Sequence, residues 1–359
     1  MHLKILTKTL VIFLLSICVI TSSYADCATE GQATSQSDAT VSSKTNKQAS
    51  LFLENDFFST HLGLGDSDKW YTNGVKFTYS YDEDTAALPT ATMRNAVDRL
   101  AKAVHIDDFC RARYGVAFGQ LMFTPSNTLT PLPQPNDRYY GGWLYMGGVI
   151  QEHSAAKTVT AELDVGVTGP LSGAEWAQNL VHRMFNYQQS QGWNNQIKTE
   201  PGIQFNYNSI SKLQGNKYFD ASGYWGAVVG TIFDNAKVGM ILRLGELSDS
   251  VPASVIESPV IGGDLQTHGW YFLAKGEVEG VLHNTFIDGS LFRSDPFTNN
   301  TERKPVVGQV TLGFVKEGLF GEPVKFSFLL SRRTQEFTSP TVGQGQLFTF
   351  GTVNVEFPI

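Results

Sequence analysis

The stretch Val75-Lys76-Phe77-Thr78-Tyr79-Ser80-Tyr81-Asp82 alternates apolar or aromatic with polar side chains without a break. A two-residue period marks a β-strand with one apolar and one polar face. The same alternation returns in Val159-Thr160-Ala161-Glu162-Leu163-Asp164-Val165, in Ile203-Gln204-Phe205-Asn206-Tyr207 and in Val324-Lys325-Phe326-Ser327-Phe328. Working outward from these segments, the pattern predicts strands near 50–57, 71–82, 113–122, 140–152, 157–168, 201–213, 217–232, 235–246, 268–282, 305–317, 322–337 and 345–357. An even count lets the sheet close with both ends on one side and no open edge in lipid. The predicted fold is all-β: a transmembrane antiparallel β-barrel of about 12 strands, apolar toward lipid and polar toward the lumen. A soluble β-sandwich would alternate equally well but would bury the apolar face. The direction of that face decides between the two.

The start of the chain fits an exported protein. Lys4 and Lys8 flank or precede an apolar run from Leu10 to Ile20, and Ser23-Tyr24-Ala25 offers a small-x-small cleavage site. The run is too short for a bilayer core of about 30 Å, so residues 1–25 read as a cleaved signal peptide. A lipid anchor on Cys27 is disfavoured, because Asp26 stands where a small residue is needed. Residues 26–48, rich in Ser, Thr, Gln and Ala, read as a flexible lead-in, and 49–359 as the barrel. Cys27 and Cys110 either pair in an oxidising compartment or stay as thiols; both readings remain open. Aromatic residues at 12%, 34 glycines and only 17% charge suit a lipid-facing barrel in the outer membrane of a bacterial cell. A net charge of −7 argues against nucleic acid as a partner.

If the first strand rises from the periplasm, the connections 58–70, 123–139 and 169–200 lie at the outer mouth. Asn55-Asp56, Tyr71-Thr72-Asn73-Gly74, Thr124-Pro125, Asp137-Arg138 and His182 all fall in or beside them. Polar residues distant in sequence but gathered at one end of a scaffold are how a site is built. Alternation sends Leu51 and Leu53 to lipid, so Asp56 and Thr72 are expected inside. Asn55 is expected outside, at a bulge or above the hydrocarbon. Loop 169–200 carries a short helix whose start reads as the capping box Ser172-x-x-Glu175. Trp176, Leu180 and Met184 form an apolar stripe expected to pack down, opposite a polar stripe of Glu175, Gln178, Asn179, His182 and Asn186. An imidazole within reach of a water is a suitable general base near pH 7. Asp66 and Asp68 read as turn residues rather than a calcium loop, and Ser172 as a cap rather than a nucleophile.

The motifs resemble those of the calcium-dependent outer-membrane lipid A 3′-O-deacylases, the LpxR-like family. They are Glu54-Asn55-Asp56, Asp68-Lys69-Trp70-Tyr71-Thr72-Asn73-Gly74, Phe123-Thr124-Pro125, Asp137-Arg138-Tyr139-Tyr140-Gly141-Gly142-Trp143-Leu144, Gly169-Pro170, Gln178-Asn179-Leu180-Val181-His182 and Gly192-Trp193-Asn194-Asn195-Gln196. Their order and spacing carry the resemblance from Ser50 to the C-terminus. It implies a twelve-stranded barrel that removes the 3′ acyloxyacyl group of lipid A from lipopolysaccharide in the outer leaflet. It further implies that His182 is the general base, that Asn55, Asp56 and Thr72 surround the ester carbonyl and a Ca²⁺, and that Asp56 is a metal ligand. An ion of that kind takes oxygen ligands and can stabilise an oxyanion.

The chain departs from that pattern twice. Gln188 stands six residues after the histidine, where the enzymes resembled have a glutamate; Glu175 and Glu200 are carboxylates open to replace it. A Lys-Arg pair of the second extracellular loop is missing, since 126–136 contains no basic residue. The expected function is therefore a calcium-dependent ester hydrolase, with Gln188 the position where the catalytic set differs. The competing expectation is a catalytically silent barrel that binds lipid or serves as a surface interaction protein, and a passive pore ranks below both.

Overall fold

The computed structural model describes residues 47–58, 63, 70–82, 111–154, 156–247 and 265–359. The expected signal peptide, most of the lead-in, Cys27, Cys110, Asp66 and Asp68 lie outside the described residues. Twelve strands close into one antiparallel barrel. They are β1 (Lys47–Asn55), β2 (Trp70–Asp82), β3 (Arg111–Thr124), β4 (Gly141–His153), β5 (Lys157–Thr168), β6 (Pro201–Gly215), β7 (Phe219–Gly230), β8 (Phe233–Glu246), β9 (Trp270–Asn284), β11 (Val306–Leu319), β12 (Glu322–Thr334) and β14 (Leu347–Pro358). Two short strands, β10 (Glu302–Arg303) and β13 (Phe337–Thr338), pair with each other as a separate two-stranded sheet. Closure is made by β1 against β14, from Gln48 opposite Pro358 to Asn55 opposite Gly351. All twelve predicted strands are present. The first begins at Lys47, so Lys47 and Gln48 belong to the barrel rather than to the lead-in, and it ends at Asn55.

The barrel is built inside out relative to a soluble core. Along β9, Trp270, Phe272, Val278 and Leu282 are exposed, while Tyr271, Leu273, Lys275, Glu277 and Glu279 are buried. Charge toward the axis and apolar side chains toward the surroundings are what a lipid solvent demands and what a soluble sandwich forbids. The lumen pairs its charges within and between strands: Lys76 meets Glu162 at 2.7 Å, Lys275 meets Glu277 at 3.1 Å and Lys325 meets Glu356 at 3.4 Å. Arg243 pairs with Asp220, and Arg333 with Glu279. Such pairs are costly to break, because removing one partner leaves a buried charge uncompensated.

Aromatic packing stops the lumen at its extracellular end. A one-turn helix (Thr285–Asp288) drives Phe286 against Phe123, stacked at 4.1 Å between centroids, with Tyr139, Trp143, Tyr145 and Ile197 around them. Beneath lies a cavity of about 190 Å³ lined in part by Glu54, Tyr71, Asp164, Asn206 and Arg333. Above, Arg138 is buried over the Phe123 ring, at 4.5 Å, and bonds Glu336 at 3.0 Å. Burial lowers the guanidinium pKa, while the Glu336 and Asp137 carboxylates act to raise it. A lumen filled in this way gives no support to the passive pore.

Candidate active site

Of the residues singled out at the mouth, Asn55, Thr72 and Thr124 lie on the outside of the wall, whereas Tyr71 faces the lumen and Arg138 lies over the lumenal Phe123 ring. In β2, Tyr71 opposes Phe123 and Asn73 opposes Met122, so Thr72 is the extra residue of a β-bulge. The bulge breaks the alternation on which Thr72 was expected inside. Tyr71 faces the lumen, where its hydroxyl donates to Glu54 Oε2 at 2.6 Å. Thr72 instead shares the outward side with Asn73, and its hydroxyl lies 2.7 Å from that of Thr124, which follows lumen-facing Phe123 and so points outward. Thr72 is buried all the same, so something covers the wall there.

Asn55, opposite Asn73 in β2, shares this outer face. Its Oδ1 accepts from the Phe57 N–H at 2.7 Å, which turns the chain at buried Asp56. Phe57 and Phe58 then fold along the outer wall. A Cβ on Gly351 would lie 2.5 Å from the Phe58 Cβ, so only glycine lets this turn approach so closely.

Helix α1 (Ala174–Met184) lies along this side of the wall. Gly169, at a φ of 64° that favours glycine, and Pro170 open a 3₁₀ turn, and Ser172 donates to the Gly169 carbonyl at 2.6 Å. Ser172 is therefore not the cap of a capping box: Gly173 precedes the helix, with no side-chain cap. The face of α1 is also the reverse of the expectation. Ala174, Gln178 and His182 are buried, while Trp176 is 66% and Met184 71% exposed. The apolar stripe faces outward, and the polar stripe turns to a wall bearing polar groups.

Contacts fix how α1 lies. Its first residue packs with Met122, Tyr140 and Trp193. A Cβ on outward-facing Gly142 would come within 2.3 Å of the Ser172 Oγ and 2.5 Å of the Ala174 Cβ. Gln120 donates to the Ser172 carbonyl at 2.6 Å, and Trp193 Nε1 to Gln178 Oε1 at 2.8 Å. Eight residues onward, about 12 Å of helix or some two and a half strand spacings, stands His182. The helix end reaches the β1 turn there: Phe57 lies 6.4 Å from Phe185 and 6.2 Å from Tyr187, whose ring meets the His182 imidazole edge-on at 6.1 Å. The ring contacts from His182 through Tyr187 to Phe57 thus bring His182 near the Asn55–Asp56 turn, next to the strand that carries Thr72.

His182 Nδ1 lies 2.6 Å from the main-chain carbonyl oxygen of Gln188. A carbonyl only accepts, so Nδ1 carries the proton and Nε2 the lone pair. The return of the chain passes through Asn186 at a φ of 59°, a left-handed conformation that asparagine tolerates. Gln188 thus contributes through its backbone, and its side chain is exposed. Of the two carboxylates open to replace a glutamate, Glu175 is exposed and Glu200 accepts from the Phe292 N–H at 3.2 Å. Sequence reasoning placed Thr124 at the mouth and Gln178 on the polar stripe but missed Trp193 and the Gln188 carbonyl as supports of the site; the nearest signal for Trp193 was its place in a quoted motif.

The donor chemistry fits a hard cation in kind. Asp56, Thr72 and Asn179 offer oxygen, and Asn179 Oδ1 is buried with no hydrogen-bond partner on the flank of α1 one turn before His182. Among the described residues, however, no group of three or more His, Cys, Asp or Glu gathers that could hold a metal.

The family model for outer membrane protein LpxR matches residues 13–358. Among solved structures, LpxR from Salmonella typhimurium is similar over 87% of this chain and 100% of its own, with 18% identity and a TM-score of 0.67. The β domain of the Bordetella autotransporter Brka overlaps 87% of this chain and 98% of its own, with 8% identity and a TM-score of 0.41. No curated protein matches the sequence.

Proposed function

Because the chain belongs to the LpxR family of outer membrane proteins, we propose that it is an ester hydrolase that removes the 3′-acyloxyacyl chain of lipid A in the outer leaflet. The observation that carries this reading is the His182 imidazole, buried on the α1 face turned to the outer wall, with Nδ1 bonded to the Gln188 carbonyl. In that tautomer Nε2 takes a proton from water as the water oxygen attacks the ester carbonyl. The tetrahedral intermediate then collapses, the acyl–oxygen bond breaks, and the proton passes from His182 to the departing sugar oxygen. Thr72 and Asn55, on that wall, are the polar groups available to the developing oxyanion. Calcium belongs to the proposal with Asp56 as a ligand; when bound it would polarise the ester carbonyl. A site outside the wall also suits a substrate whose chains stay in the leaflet.

The silent lipid-binding barrel draws on two departures, the missing glutamate at Gln188 and the missing Lys-Arg pair in 126–136. The Gln188 carbonyl weakens the first, because it supplies the orienting acceptor without a carboxylate. Mass spectrometry of lipid A from cells with and without the protein separates the two readings. Loss of the 3′-acyloxyacyl mass is expected; unchanged lipid A in calcium-containing medium, with the folded barrel in the membrane, would favour the silent barrel.

A further inference from the structure

The apolar face of α1 is large and exposed, and no described residue covers it: Trp176, Leu180 and Met184 lie on it, with exposed Leu171 just before the helix. Three observations say what covers it. First, the face points away from the wall, in the direction of the exposed residues of the lipid belt. Gly142, on which α1 rests, is followed on the same side of β4 by Leu144 and by Met146, which is 62% exposed. Second, four residues of strand span about 13 Å, or roughly 10 Å of height at the usual tilt, within an apolar band about 25 Å tall. That puts the seat of α1 within about 10 Å of height of Met146, an exposed apolar residue of the same outward face, so the two surfaces are continuous. Third, Arg183 is exposed between these apolar groups. An arginine there can lay its stem on apolar surface and raise its guanidinium to anionic headgroups.

We propose that α1 is an interfacial helix whose outward face is immersed in the acyl chains of the outer leaflet, so that the site behind it opens sideways to lipid. The polar face is held by the wall and the apolar face by the bilayer, a division that fixes the helix without any partner protein. The inference rests on the barrel's membrane location and stands whether or not the site hydrolyses an ester.

The test uses the full barrel in phosphatidylcholine vesicles. The chain has six tryptophans, so the emission lost on Trp176→Phe isolates Trp176. That component is expected to be quenched several-fold more by lipid carrying a doxyl group at carbon 5 than by iodide in the water. Met184→Glu should shift the balance toward iodide. Quenching by iodide and not by lipid would overturn the proposal. Shielding from both would overturn it too, and would point to a second copy or another protein on this face. Heat-modifiable mobility checks that each variant is folded, and no readout depends on hydrolysis.

Discussion

Replacing Gly142 by alanine tests whether α1 is seated on the wall as described. The added Cβ would stand 2.5 Å from the Ala174 Cβ and 2.3 Å from the Ser172 Oγ. Carbon atoms settle at about 3.5–4.0 Å, so one side must retreat by roughly 1–1.5 Å. The wall cannot, because β4 is hydrogen-bonded to β3 and β5 on either side. The helix therefore moves, and His182 moves with it. A misplacement of about 1 Å can lower turnover by roughly 10²-fold, so the expected loss for Gly142→Ala is about 10–100-fold, mostly in kcat. Overpacking costs about 1–3 kcal/mol, borne by the loop, so the barrel should keep its heat-modifiable mobility. Gly148→Ala is the control: same strand, same outward face, but its Cβ meets nothing within 4 Å. Hydrolysis of lipid A by folded wild type and both variants at equal amounts provides the assay. Full activity in Gly142→Ala would refute the reasoning, since α1 could not then rest where the structure has it.

Three further outcomes follow from the same geometry. Gln188→Ala should keep turnover within about threefold, because the carbonyl rather than the side chain holds His182, whereas Asn186→Val, forced to a positive φ at a cost of about 1–2 kcal/mol, should lower it clearly; steady-state rates of both decide. Chelation of calcium should abolish hydrolysis in wild type, and Asp56→Asn should raise the calcium concentration needed for half-maximal rate; a chelator-indifferent rate removes the ion from the account. Lys76→Met leaves Glu162 buried without its partner and should destabilise the barrel by roughly 3–5 kcal/mol in urea unfolding from vesicles; an unchanged midpoint would mean that the lumenal pair is not formed.

The barrel was legible because one physical rule governs all its strands: lipid on one side and a polar lumen on the other impose a period of two. Thr72 was not legible, because a bulge adds one residue and leaves no local mark in Tyr71-Thr72-Asn73. The helix in loop 169–200 was legible as amphipathic, but its orientation was not. Packing apolar residues inward is a rule for helices in water, and Trp176 and Met184 instead point away from the wall, as the proposed immersion in lipid requires. The Ser172-x-x-Glu175 pattern misled for a simpler reason. Pro170 and Gly169 set a 3₁₀ turn in which the Ser172 hydroxyl is already committed to a carbonyl. Gln188 shows a last limit: a sequence displays side chains, and here the contribution comes from the backbone.

The direct trial of the account is hydrolysis of lipid A by the purified, folded barrel with calcium present, comparing wild type with His182→Ala. Loss of the imidazole also removes its bond to Gln188, worth about 0.5–1.5 kcal/mol to the loop, so both proteins should first show the same heat-modifiable mobility. Wild type should release the acyloxyacyl acid, and His182→Ala should be slower by about 10²–10⁴-fold. Equal rates for the two folded proteins would contradict the account.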